Sequence, residues 1–189
     1  MQVEAYQGEL EQAIQGSINA SSVAYLSMDD MPEGVPAFKI MVLRPELGPR
    51  LIHTSGVGHV AQPYSDSRDD NVLVELMTYV NEGGVDQSIA VLRMLGALLH
   101  MNGPDEAWKA FDTVRLADAV AGQMHFVLRP GGHVSIGDRV VTLLSVVPLA
   151  AAEYVEVTSG RASIWLEQRM ADPDARSAFI ARWGQRNRE

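Results

Sequence analysis

The segment from Asp86 to Met101 constrains the fold most. Ile89, Val91, Leu92, Met94, Leu95, Leu98, Leu99 and Met101 surround nearly the whole circumference of a helix. Only Asp86, Arg93 and His100, spaced by seven, form a polar seam along it. A helix that is apolar all round has to be buried. Asp86 suits the N-cap, and Gly103-Pro104 stops the helix just past its end. The chain must therefore supply layers to cover this helix. The plainer reading of the seam is an edge where Arg93 reaches water along its stem; the other is a place where a second element or a partner covers the helix.

The flanking segments read as sheet. Ser22–Met28, Ala37–Leu43 and Arg50–Ser55 are three candidate strands, separated by turn-rich or proline-bounded stretches. Asn71–Val80 is the most strand-like: Val72, Val74, Leu76, Thr78 and Val80 lie on one face, and Leu73, Glu75, Met77 and Tyr79 on the other. Met124–Arg129, closed by Pro130-Gly131-Gly132, and Arg139–Val147 are two more. Residues 8–17 suggest a short surface helix. Pro148 is expected at the first position of a helix running to Thr158, with Gly160 capping its end. A short segment with Ile164, Trp165 and Leu166 follows. Asp172-Pro173 opens a final helix that gathers Phe179, Ile180 and Trp183 on one face.

Early strands, one buried helix, two later strands and terminal helices predict an α+β fold. The expected sheet is mostly antiparallel or mixed, packed on the long helix. The 189 residues fit one domain, 1–189, because domains commonly run to about 100–200 residues.

Charge narrows the partners. The formal net charge is −9, and residues 1–160 carry nine basic and twenty acidic side chains. Such a body repels phosphate backbones, which argues against nucleic acid. Six arginines of the tail (Arg161, Arg169, Arg176, Arg182, Arg186 and Arg188) are interspersed with acids and read as a solvated surface. With no cysteine in the chain, disulfides, thiolate zinc sites and cysteine nucleophiles are excluded. Met1–Ala20 holds Glu4, Glu9 and Glu11 and no apolar run, unlike a signal peptide. No stretch approaches the ~18 apolar residues of a membrane helix. The expectation is a cytoplasmic protein with no membrane contact.

Motifs for catalysis are scarce. Zinc sites need three or four ligands, commonly paired on one face of an element. His53 and His59 are six apart across two glycines, and His125 and His133 eight apart across a proline-glycine turn. His100 stands alone. Gly-x-Ser-x-Gly is absent, since Ser55-Gly56-Val57-Gly58 lacks its first glycine. Gly56 and Gly58 begin a Gly-x-Gly, but position 61 is Ala and no nucleotide-binding helix follows. They are better read as backbone geometry at a strand end. Asp29-Asp30 and Asp66/Asp69/Asp70 read as solvated acidic loops. Asp112, set among Trp108, Ala110 and Phe111, reads as a turn or cap before the next strand.

Several segments carry a family likeness through their order. Leu51 to Gly58 is an extended segment ending in a Ser-Gly turn, and Val74–Tyr79 contains a Glu-Leu strand. The apolar helix Ile89–Met101 is followed by Gly103, Pro104 and Trp108. A Met-His-Phe-Val-Leu strand, Met124–Leu128, leads to Val141–Leu149, and Ala150-Ala151-Ala152-Glu153-Tyr154 closes that run. Over about residues 36–170 the chain resembles the suppressor-of-fused-like domain, whose helix start here is commonly Pro-Leu-Thr-x-x-Glu. It departs in having Ala150 where threonine is usual, which removes a side-chain cap. Residues 1–30 and 175–189 have no counterpart.

The resemblance implies binding rather than catalysis, with no cofactor. In animal relatives the domain is half of a larger protein that clamps a short peptide of a transcription factor. Bacterial single-domain relatives are similar to immunity proteins that neutralise a toxin. A second half is not expected in these 189 residues, so the clamp is not expected to carry over whole. By the family pattern the partner-facing positions are Leu99, His100 and Asp112. A basic toxin would suit an acidic protein, since opposite charge speeds encounter. The competing reading is a small metal-dependent hydrolase with a site assembled from His53, His59, His125 and Asp112. A third is a homo-oligomeric structural protein.

Overall fold

The computed structural model describes residues 2–28, 30–60, 72–101, 108–118 and 122–183. A single seven-stranded sheet organises them. Its strands are β1 (Ala20–Met28), β2 (Phe38–Pro45), β3 (Arg50–Ser55), β4 (Val72–Val80), β5 (Thr113–Asp118), β6 (Gly122–Ile136) and β7 (Arg139–Leu149). The strand order is β1-β2-β3-β4-β7-β6-β5. Every neighbouring pair is antiparallel except β4 and β7, which run parallel from Val72↔Val140 to Met77↔Ser145. The fold is α+β with a mixed sheet, and the expected class holds.

Helix α3 (Val85–Met101) covers one face. Val91, Leu92, Leu95 and Leu99 pack on Ile40, Ile52, Leu76 and Leu144. A Cβ on Gly96 would come within 2.7 Å of the Phe38 ring, so glycine lets helix and sheet approach closely. The burial is less complete than the sequence implies: Met94 and Leu98 are only half-buried, and Met101 is 64% exposed. The seam residue Arg93 donates to the Asp30 carbonyl at 2.8 Å and pairs with its carboxylate at 2.9 Å.

The other face carries helices at both ends. Helix α1 (Val3–Ile18) is longer than the expected surface helix, and Tyr6, Leu10 and Ile14 seat it on Met41, Leu51, Leu73, Met77 and Leu143. That stripe is one residue wide between Gln and Glu, which is why it reads as surface. Toward the ends of β6 and β7 lie α4 (Ala151–Glu156), α5 (Ala162–Ala171) and α6 (Pro173–Arg182), over Val127, Val147 and Leu149. A four-residue helix α2 (Val57–Val60) follows β3.

Three expected boundaries shift. Strand β6 does not end at Pro130-Gly131-Gly132; it continues through a bulge between Pro130 and Gly132 to Ile136. A bulge absorbs one residue without ending the pairing, and it accommodates proline. Pro148 lies inside β7 rather than opening a helix, and Ala150 is the N-cap of α4. Gly160, at φ +87°, kinks a π-helical turn (Val157–Arg161) that leads into α5, rather than ending the helical run. No helix among the described residues is long and apolar enough to cross a membrane.

Candidate functional site

At the end of β3 the ladder with β4 gives way to side-chain hydrogen bonds. Pairing reaches His53↔Met77. Beyond it the Thr54 hydroxyl accepts from the Leu76 amide at 2.9 Å and donates to Glu75 Oε2 at 2.5 Å. Glu75 Oε1 accepts from the amides of Gly56 (2.9 Å) and Gly58 (2.8 Å) and from Tyr6 Oη (2.9 Å). One fully buried carboxylate thus ties β4, the turn into α2 and helix α1. Burial raises its pKa, against the four hydrogen bonds that favour the anion. Burial and the neighbouring carboxylate likewise push the Tyr6 hydroxyl upward.

The two glycines are geometric requirements of this node. Gly56 has φ +106°, and a Cβ there would sit 2.6 Å from Gln7 Nε2, which donates to the Ser55 carbonyl. At Gly58 a Cβ would lie 2.7 Å from the Val74 carbonyl oxygen and 2.9 Å from Tyr6 Oη. Gly-x-Gly here aims two amides at a carboxylate of the same chain. The sequence signal was a lone acid in an otherwise apolar stretch of β4, opposite those glycines.

His53 lies on the same face of the sheet, fully buried. Its Nδ1 is 2.7 Å from the Thr54 carbonyl, an acceptor, so Nδ1 carries the proton. Nε2 is enclosed without a hydrogen-bond partner. Burial lowers the ring's pKa to about 4. Beside it is a cavity of about 80 Å³ between α1 and the sheet, lined by Ile14, Leu51, Met77 and Leu143 among others.

The residues expected at a partner site are placed apart. Leu99 is 3% exposed, in the cluster beneath α3. His100 is half-buried, its Nε2 has no hydrogen-bond partner, and desolvation lowers its pKa. Asp112 closes a turn, accepting from the Lys109 amide at 2.9 Å, and lines an open hollow of about 650 Å³ against the π-helical turn and α5. Of the hydrolase candidates, His53 and His125 stand on β3 and β6, three strand spacings or roughly 14 Å apart across the sheet. His125 is offset a further four residues along its strand, since Arg129 is the residue level with His53. The His125 ring packs against Tyr154 with centroids 4.3 Å apart. The side chain of His59 lies outside the described residues. Among those described, no three His, Asp or Glu side chains gather as metal ligands.

A groove opens where β4 and β7 part. Past Met77↔Ser145 the Thr78 hydroxyl donates to the Val146 carbonyl at 2.9 Å, and Arg182 donates to the Pro148 carbonyl at 3.2 Å. Pro148 has no amide to leave unpaired there. Arg182 also pairs with both carboxylate oxygens of Glu153. These contacts hold α4 and α6 over the parted strands. A cavity of about 310 Å³ remains, with buried Val147, Phe179 and Trp183 at its base and Tyr79, Arg129, Met170, Arg176 and Ile180 around it. No sequence pattern marks these residues as a group. Only the fold brings Tyr79, Arg129 and Arg176 together.

No family model matches the chain, and no curated protein matches it. Solved structures do. A suppressor-of-fused homologue of Neisseria gonorrhoeae FA 1090 superposes with a TM-score of 0.64 at 16% identity, over 98% of this chain and 96% of that one. A chain of the Sufu–Fu complex superposes with a TM-score of 0.59 at 11% identity, over 99% of this chain and 90% of that one. The agreement spans α1 and α6, which the sequence resemblance left unmatched. The chain therefore has the suppressor-of-fused-like fold.

Proposed function

We propose that this chain is a non-enzymatic protein-binding domain, and that it acts in the cytoplasm as an immunity protein that neutralises a toxin. The observation that carries the reading is the fold shared over nearly full length with a chain of a protein–protein complex, that of Sufu with Fu. Support also comes from its ionisable interior: Tyr6 and Glu75 have no exposed surface and are engaged with each other in the node that ties α1 to the sheet. The net charge of −9 favours a basic toxin, because opposite charges speed encounter and fix orientation.

The test is affinity capture of the tagged chain from its native cells, with mass spectrometry of what is retained. One dominant, stoichiometric, basic protein whose toxicity is abolished by co-expression is the expected result. A retained metal or small molecule with no protein partner would sink the reading. Association should also slow several-fold as salt rises, since ~0.15 M salt screens charges beyond about 8 Å.

A further inference from the structure

We infer that the groove between the ends of β4 and β7 is a binding site for a peptide segment of a partner protein that combines apolar side chains with a carboxylate. The inference rests on the protein-binding reading and adds to it the place and the chemistry of recognition.

The lining is apolar at its base, with Val147, Phe179 and Trp183, and among the described residues its only charged ones are Arg129 and Arg176. Neither arginine forms a salt bridge among the described residues. Of the acids on the surrounding elements, Glu153 is engaged by Arg182, Glu82 by Arg44 and Arg50, and Asp172 accepts from the Asp174 amide as the cap of α6. A recess whose described lining is cationic and free of acids is out of keeping with a chain of net charge −9. Guanidinium groups bind carboxylates through paired, charge-assisted hydrogen bonds, which sets the sign of the ligand.

The strand edge argues against another mode. The Val146 and Pro148 carbonyls accept from Thr78 and Arg182, and Pro148 offers no amide. A partner adding a β-strand would find this edge occupied, so recognition runs through side chains. At about 310 Å³ the recess is at the small end of ligand pockets, which span ~300–1,000 Å³. It suits two or three side chains of a segment. The acidic body and the cationic groove act at different ranges: net charge draws a basic partner, and the recess selects an acidic-apolar stretch on it.

The test uses the full chain. A random peptide library would be panned on it, and selected peptides remade and measured by fluorescence anisotropy. Selected sequences are expected to carry Asp or Glu beside at least two apolar residues. The double variant R129E/R176E should bind them at least tenfold more weakly with an unchanged melting temperature. Exchanging the peptide's acids for lysine should restore binding to that variant. Failure to select any peptide, selection of acid-free or basic sequences, or binding indifferent to R129E/R176E would each overturn the inference. So would native mass spectrometry showing a small apolar acid held in the groove. A protein partner captured from cells whose binding ignores R129E/R176E would sink the groove alone, and the absence of any protein partner would sink the protein-binding reading itself.

Discussion

Replacing Glu75 by leucine would strand the Tyr6 hydroxyl and the Gly56 and Gly58 amides in a space closed to water. Each buried orphan costs about 1–3 kcal/mol, so E75L should lose ~3 kcal/mol or more in urea unfolding. E75Q keeps an oxygen for the two glycine amides. Its NH₂ can donate to Thr54 Oγ1, whose proton then turns to the Leu76 carbonyl 3.4 Å away. About 1 kcal/mol is the expected cost. Equal losses for E75Q and E75L would mean that packing, not donor satisfaction, governs the node. His53 sets a pH dependence of opposite origin. Its folded pKa of about 4 lies below the usual 6.5, so the unfolded chain takes up the proton first. Stability is therefore intact above about pH 6.5 and falls as pH drops toward 4, by up to ~3 kcal/mol. The raised pKa of Glu75 works in the other direction over its own range. The clean measurement is thus the difference between the parent and H53L across pH 4–7, where the variant should lack the histidine's slope.

Among the elements, α4 is held by an incomplete cap. Ala150 takes the extended conformation of an N-cap but has no side chain to accept from the helix, while Glu153 accepts the Ala150 amide at 2.8 Å. A150T would supply the missing half of a capping box and should add about 1 kcal/mol, raising the melting temperature by a few degrees. No gain would show that the Arg182–Glu153 pair already fixes this helix end. The vacancy at Ala150 was legible through the family resemblance, whereas the sequence left the part played by Glu153 unread. Also legible were α3 and β3, through their apolar residues, and the start of α6, which Asp172 caps as expected. Asp86, expected as the cap of α3, lies inside its first turn, and the expected stop at Gly103-Pro104 lies outside the described residues. Strand β5 escaped notice because Thr113–Asp118 alternates only weakly, with an arginine and an aspartate in six residues. At Pro130-Gly131-Gly132 a turn signal marked a bulge, since the same residues serve both. The groove was illegible because its arginines are 47 positions apart and only α6 folding back on β7 makes them neighbours.

Across the whole molecule, β1–β4 form one antiparallel meander and β5–β7 another. Among the described residues their sole sheet contact is the parallel pairing of β4 with β7, between residues 68 apart in sequence (Val72 and Val140). Each meander pairs strands that follow one another in the chain, whereas the seam must close a longer loop before it returns any energy. The order of assembly follows from this asymmetry. The seam should form last, after the rate-limiting barrier, so truncation at its buried Leu144 (L144A) should accelerate unfolding and barely slow refolding. Truncation of Ile40, inside the first meander, should slow refolding itself. Stopped-flow chevrons of the two variants would read this directly, and a slowed refolding limb for L144A would place the seam in the nucleus instead. The two meanders are also tied on both faces, by α3 over Ile40 and Leu144 and by α1 over Leu51 and Leu143, so the seam can open only where those helices lift with it.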